Sequence, residues 1–239
     1  MTILRALKVG LAAGLVAGAV LGAYILLVMG PLIDEAEAFE GEENPVSLEL
    51  RRATAFGGAM LIGVLIGIPL ALVFPLVESL LPWRSVVWKA LVLGFLAYLI
   101  FSLLPILNVP TNPPGVETNL SVEEREFWYV GTMISALGGV LAGSGLYYIL
   151  TPRTKSATAR KFLLGGSLLV VASLWTLPFL LRPRIERISG VIPSGLIETF
   201  YYLTVLEWAV FWVVLSTTLA LLWPRFLAAP ASESFRSPD

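Results

Sequence analysis

The stretch Val9-Gly-Leu-Ala-Ala-Gly-Leu-Val-Ala-Gly-Ala-Val-Leu-Gly-Ala-Tyr-Ile-Leu-Leu-Val-Met29 decides the fold. It holds no charged residue, and a bilayer hydrocarbon core of about 30 Å needs roughly 20 such residues wound as a helix. Arg5 and Lys8 precede it, as in a secretory signal, but the run is longer than a signal's apolar region and no small-x-small cleavage site follows. It reads as a helix that stays in the membrane.

Outward from it, five further apolar runs are separated by charged or proline-rich breaks, giving expected spans at about 9–29, 56–77, 86–104, 127–150, 162–181 and 196–223. The predicted fold is therefore an all-α integral membrane protein of about six transmembrane helices in one polytopic domain, 1–223. Residues 224–239, rich in Ala, Ser and Pro, read as a short disordered cytoplasmic tail.

Composition agrees: 57% of the residues are hydrophobic and only 14% charged, so lipid is the main solvent. With no cysteine and no histidine, disulfides, thiolate or imidazole metal sites and Ser-His-Asp or Cys-His catalysis are excluded within this chain. No phosphate-binding loop and no nucleophile–base pair is present, so the chain reads as a non-enzyme without a cofactor. The net charge of -1 says little on its own, because the charges are segregated by loop, and no basic run with interleaved aromatics points to a nucleic-acid partner.

Ten of the 16 Lys and Arg residues, including Arg84, Lys89, Arg153, Lys155, Arg160, Lys161, Arg225 and Arg236, fall on the side of the termini, which predicts both ends inside. Arg182, Arg184 and Arg187, after the fifth span, run against that bias. The opposite side carries Asp34, Glu35, Glu37, Glu40, Glu42, Glu43 and Glu49 in the first outer loop, then Glu117, Glu123, Glu124 and Glu126 in the second. Such loops solvate themselves, and they also raise the local cation concentration at a pore mouth.

Gly10, Gly14, Gly18 and Gly22 recur every fourth residue in the first span, as do Gly131, Ser135, Gly139 and Gly143 in the fourth, with Gly63 and Gly67 in the second. Small residues at this spacing let helix backbones approach closely, so these are packing faces rather than chemistry. A ridge opening each set of three spans raises the further expectation of two inverted three-helix halves.

Glu207 lies near the middle of the last span, where a carboxylate is costly and marks either an ion path or a hydrogen bond between helices. Glu198 is nine residues earlier, on the opposite helical face, so the two do not form a pair. Lys89, near the inner end of the third span, is expected to snorkel to the surface.

Between the third and fourth spans Pro105, Pro110, Pro113 and Pro114 are expected to forbid a regular helix. Irregular backbone at membrane depth is tolerated where it lines a wet cavity, and its carbonyls can then face a cation. Ser121-Val-Glu-Glu124 reads as a capping box that opens the fourth helix.

The chain resembles the CbtA family, predicted subunits of a cobalt transporter. The glycine-rich first helix runs into Gly30-Pro-Leu-Ile-Asp-Glu-Ala-Glu-Ala-Phe-Glu40, similar to the family's Glu-Pro-x-Ile-Asp-x-Ala segment with an acidic tail. Arg51 and Arg52 precede a glycine-rich second helix. Pro105 to Gly115 resembles the signature Pro-x-x-Lys-Tyr-Pro-x-Asn-Pro-Pro, and Arg125 stands where the family has an arginine. Asn108 and Val109 replace the signature's Lys-Tyr, and Gly30 replaces a glutamate. The likeness is carried by Arg5 to about Leu150; beyond that only hydropathy and length agree.

This resemblance implies a multi-pass protein of a prokaryotic inner membrane that handles cobalt, a divalent cation, as substrate, alongside a small histidine-bearing partner, CbtB. Co²⁺ prefers imidazole or thiolate to all-oxygen sites, so a selective site needs that partner, or Met and carboxylates alone, and the metal ligands stay unassigned. The candidate path is Glu207 in the membrane with Asp34, Glu35, Asn112, Pro113, Pro114 and Arg125 outside. The alternative is a non-transporting scaffold or accessory subunit, whose ridges pack against partner helices.

Overall fold

A computed structural model of the chain describes residues 3–40, 46–82, 84–154, 156–188 and 190–227. Glu42, Glu43, Lys155, Arg236 and tail residues 228–239, all invoked above, lie outside the described residues. Among the described residues six helices are long and apolar enough to cross a membrane, Ile3–Phe39, Leu48–Glu78, Val86–Asn108, Val122–Arg153, Ala157–Leu181 and Ser194–Pro224. The only strands described are a two-residue pair. The protein is an all-helical, multi-pass membrane protein.

The helices are longer than their apolar cores. α1 (Ile3–Tyr24) passes through a π-helical turn at Ile25–Met29 into α2 (Gly30–Glu40). Pro31 does not end it: the Gly30 N–H bonds five residues back to the Ile25 carbonyl, and this wider register accommodates the imino ring and its missing donor. Ala36, Glu37 and Ala38 are good helix formers and carry the helix on. Asp34, Glu35 and Glu37 are therefore helical, not loop, residues.

The third span repeats the device. α4 (Val86–Tyr98) leads through a π turn at Leu99–Leu103 into α5 (Leu104–Asn108), with Pro105 inside the helix and the Leu104 N–H bonded to the Leu99 carbonyl. The expectation that Pro105 forbids a helix is corrected here, for the same reason as at Pro31; the break begins at Val109.

α3 (Leu48–Glu78) starts on Ser47, whose Oγ accepts from Leu50 N at 3.4 Å. α6 (Val122–Leu150) starts on the capping box legible in its sequence: Ser121 Oγ accepts from Glu124 N at 3.2 Å, and Ser121 N donates to Glu124 Oε2 at 2.8 Å. Ser121→Ala removes one acceptor for the helix's orphan N–H groups and is expected to cost about 1 kcal/mol, read as a lower melting temperature with faster amide exchange confined to the first turn of α6. α7 (Ala157–Leu181) and α8 (Ser194–Leu227) complete the set; α8 continues three residues past Pro224.

Contacts divide the chain into two compact units, each drawn from separated stretches: 1–31, 43–96 and 206–239 in the first, 32–42 and 97–205 in the second. These units do not follow the three-plus-three division that the glycine ridges suggested.

In the first unit α1 and α3 run antiparallel with their glycines opposed. A Cβ on Gly10 would lie 2.7 Å from the Gly67 carbonyl oxygen, one on Gly18 2.7 Å from that of Ala59, and one on Gly14 would strike the Gly63 carbonyl. Lipid gives no hydrophobic drive between helices, so this backbone-to-backbone contact is the main source of attraction. Gly22 faces the Phe56 ring instead. Phe74 of α3 and Trp223 of α8, both fully buried, meet edge to face at 4.8 Å. Gly94 of α4 abuts Ser216 of α8, whose Oγ donates to the Trp212 carbonyl at 2.6 Å. Lys89 lies 3.7 Å from Glu78 at the adjoining helix end, so its charge is paired there.

In the second unit α6 packs on α7. Ser135 Oγ donates to the Leu174 carbonyl at 2.6 Å, Trp175 Nε1 donates to the Ala136 carbonyl at 3.0 Å, a Cβ on Gly139 would lie 3.2 Å from Leu174, and one on Gly143 2.8 Å from the Ser167 carbonyl. Gly131 faces open space and takes no part.

Candidate functional site

The proline-rich segment is held at both ends. Pro105 has no N–H for the Phe101 carbonyl four residues back, and Tyr129 of α6 supplies a donor instead, its hydroxyl 3.4 Å from that oxygen. Downstream, Pro114 and Gly115 form the corner of a β-turn, with Gly115 at φ 76° and Val116 N donating to the Pro113 carbonyl at 3.4 Å. This is the type II pattern, which needs a positive φ at its third residue and so favours glycine there.

Val116 then enters a small buried cluster with Ala36, Ile192, Leu196 and Ile197. β1 (Glu117–Thr118) pairs antiparallel with β2 (Arg187–Ile188). Asn119 clamps the same two loops: Nδ2 donates to the Arg184 carbonyl at 3.0 Å and Oδ1 accepts from Glu186 N at 2.8 Å. Arg187 in turn sits over the Tyr201 ring at 5.6 Å.

Between these anchors lies a concentration of polar groups inside the protein. Asn108, fully buried, donates from Nδ2 to Thr132 Oγ1 at 2.7 Å, and Thr132 Oγ1 donates to the Trp128 carbonyl at 2.7 Å. Asn108 Oδ1, Thr111 Oγ1 and both side-chain polar atoms of Asn112 are buried and have no hydrogen-bond partner among the described residues. Unsatisfied buried polar atoms are uncommon in native proteins and concentrate where something binds or moves. Beside them a shallow pocket of about 230 Å³ is lined by Val109, Thr111, Val122, Arg125, Glu126 and Tyr129.

Of the residues singled out in the sequence, the second unit contains Asp34, Glu35, Asn112, Pro113, Pro114 and Arg125. Arg125 shares the pocket wall with Thr111, neighbour of Asn112. Asp34 and Glu35 stand on α2, beside Ala36, the residue that joins this helix to Val116 just beyond the prolines. Pro113 is buried and Pro114 exposed.

Glu207 belongs to the first unit. It is 9% exposed, in the body of α8, and accepts no hydrogen bond or ion pair among the described residues. Glu198, by contrast, is exposed. Among the described residues no three Asp or Glu side chains gather to hold a metal ion.

Asn108, Thr111, Tyr129 and Thr132 were not singled out as site residues from the sequence. One signal was available: Gly30-Pro-Leu-Ile-Asp34 and Leu104-Pro-Ile-Leu-Asn108 share a spacing, each with an acid or amide three residues after a proline. Each also follows a five-residue π turn.

Residues 3–224 match the model of a family described as probable cobalt transporter subunit (CbtA). No curated protein and no solved structure matches the chain.

Proposed function

We propose, from the premise that this chain belongs to the CbtA family, that it is the membrane subunit of a divalent-cation uptake system with cobalt as its cargo. Both termini face the cytoplasm, in a prokaryotic inner membrane. The acidic face of α2, with Asp34 and Glu35, and the acidic first turn of α6 draw cations by their negative potential. Asn112, Pro113, Pro114 and Arg125 shape the entrance, and Glu207 takes part in translocation within the membrane.

The observation that carries this reading is Glu207: a carboxyl 9% exposed in a membrane span, with no hydrogen bond or ion pair among the described residues. An ionised carboxylate so placed costs several kcal/mol, and ionisable residues kept inside a membrane span characteristically mark ion or proton paths. Cobalt favours nitrogen and sulfur ligands, which this chain cannot supply from His or Cys, so a small histidine-bearing partner completes the selective site.

The test is radiolabelled cobalt uptake in cells lacking their own cobalt transporters, with this chain alone and with such a partner. Uptake above empty vector, falling at least tenfold in Glu207→Gln at equal membrane expression and less steeply in Asp34→Asn, is the expected result. Unchanged uptake in both variants would remove these residues from the path.

One observation favours a second reading, a non-transporting accessory or scaffold subunit: no three carboxylates converge among the described residues. On that reading a partner co-purifies in fixed ratio under mild detergent, and cobalt leaves the melting temperature of the chain unchanged.

A further inference from the structure

We infer that the break after α5 is a binding site for a small monovalent cation of the sodium type, built from uncharged oxygens, with the Asn108 side-chain carbonyl as its central ligand.

The orientation of Asn108 is fixed by its partner. The Thr132 hydroxyl spends its only proton on the Trp128 carbonyl, so towards Asn108 it can only accept. Asn108 must therefore present Nδ2 to Thr132 and turn Oδ1 elsewhere. That oxygen lies in a fully buried residue and meets no donor among the described residues. An oriented buried acceptor without a donor is costly by itself and is stabilised by a cation.

The backbone adds further acceptors. α5 ends at Asn108, and Pro110 has no N–H for the Ile106 carbonyl. Among the described residues no backbone N–H reaches the Leu107 or Asn108 carbonyl either. The negative end of a helix is thus left open beside Asn108, in a segment where Thr111 Oγ1 and Asn112 Oδ1 are also buried without hydrogen-bond partners among the described residues. Helix C-termini with unwound carbonyls are the groups that coordinate sodium in transporters with broken helices.

The charge of the ion follows from the donors. Carbonyl, amide and hydroxyl oxygens are hard and uncharged, whereas divalent ions dehydrate at carboxylates. No three carboxylates gather among the described residues, and the charged side chains lining the adjacent pocket, Arg125 and Glu126, are opposite in sign. The site therefore suits one positive charge better than two. Such a site also gives a chain without an ATP-binding motif a means of coupling uptake to an existing ion gradient.

The test is the thermal unfolding of the purified full-length chain in detergent, without cobalt, as sodium chloride replaces choline chloride at constant ionic strength, with potassium, magnesium and cobalt chlorides as separate arms. The expected result is a saturable rise in melting temperature with sodium, as mass action requires of any ligand bound only by the folded state. Its midpoint should move to at least tenfold higher sodium in Asn112→Ala and in Asn108→Leu. Asn108→Asp, which keeps the oxygen and adds a charge, guards against misfolding of the leucine variant; its midpoint should fall and magnesium should begin to compete.

A rise shared equally by sodium, potassium and choline would overturn the inference. So would a sodium midpoint unmoved in Asn112→Ala and Asn108→Asp. A rise with cobalt alone would overturn the monovalent assignment and place the cargo here. The readout is independent of uptake, so its failure leaves the transport reading untouched.

Discussion

Leucine in place of Gly63 is expected to leave α1 unable to seat on α3 and to lower the melting temperature of the detergent-solubilised protein well beyond any surface substitution. The reason is local and geometric. A Cβ at Gly63 would strike the Gly14 carbonyl and lie 2.8 Å from the Gly18 backbone nitrogen and Cα, and one at Gly67 would lie 2.5 Å from the Gly10 carbonyl.

Each of these obstacles is backbone, so no rotamer change relieves it and the helices must separate along their length. Overpacking of this kind costs roughly 1–3 kcal/mol for small insertions and more for a whole side chain. Gly57 and Gly58 lie on the same helix and would meet nothing within 4 Å. Alanine there is expected to be neutral or to gain up to about 1 kcal/mol of helix propensity. A Gly63→Leu protein that melts like Gly57→Ala would mean that the α1–α3 contact does not hold the unit together.

Thr132→Val is expected to cost about 1–3 kcal/mol, because it removes the acceptor that Thr132 Oγ1 offers to Asn108 Nδ2 and leaves that fully buried donor without a partner among the described residues. The combined Asn108→Leu, Thr132→Val change is expected to recover part of that loss, since two apolar groups of similar shape replace a broken polar pair. Unfolding of the two single variants and the double variant, compared as a cycle, gives a coupling of about 0.5–3 kcal/mol if the pair is real. Strict additivity of the two single effects would mean that the two side chains do not interact.

Much of this molecule was legible in one dimension. Six apolar runs bounded by charges and prolines required six membrane helices, because no other open structure satisfies its backbone in lipid. The glycine spacing marked which face of the first helix would meet another backbone. Ser121 and Glu124 announced the start of α6, since capping is settled within four residues. The family was legible too, in the segments around Pro31 and Pro113, and the family model extends the match through the last two helices, which hydropathy and length alone represented in the sequence.

Other readings failed for identifiable reasons. Pro105 looked like a helix end, because a proline removes an N–H wherever it stands; like Pro31 it is absorbed by a π turn, and a change of hydrogen-bond register is a cooperative property of the whole helix. Asp34, Glu35 and Glu37 looked like loop residues because they follow the apolar run, yet hydropathy marks only the lipid boundary and says nothing of where a helix stops.

By itself, then, the sequence determined the solvent, the number of crossings, the packing face of α1 and the family, because each of these depends on composition or on neighbours a few residues apart. Only the tertiary structure decided that Gly14 opposes Gly63 while Gly131 meets no neighbour within 4 Å among the described residues, that Lys89 pairs with Glu78, and that Asn108 is buried with its amide locked by Thr132. Those outcomes turn on groups far apart in the chain, and no local pattern records whether a donor that is missing nearby is replaced from another helix.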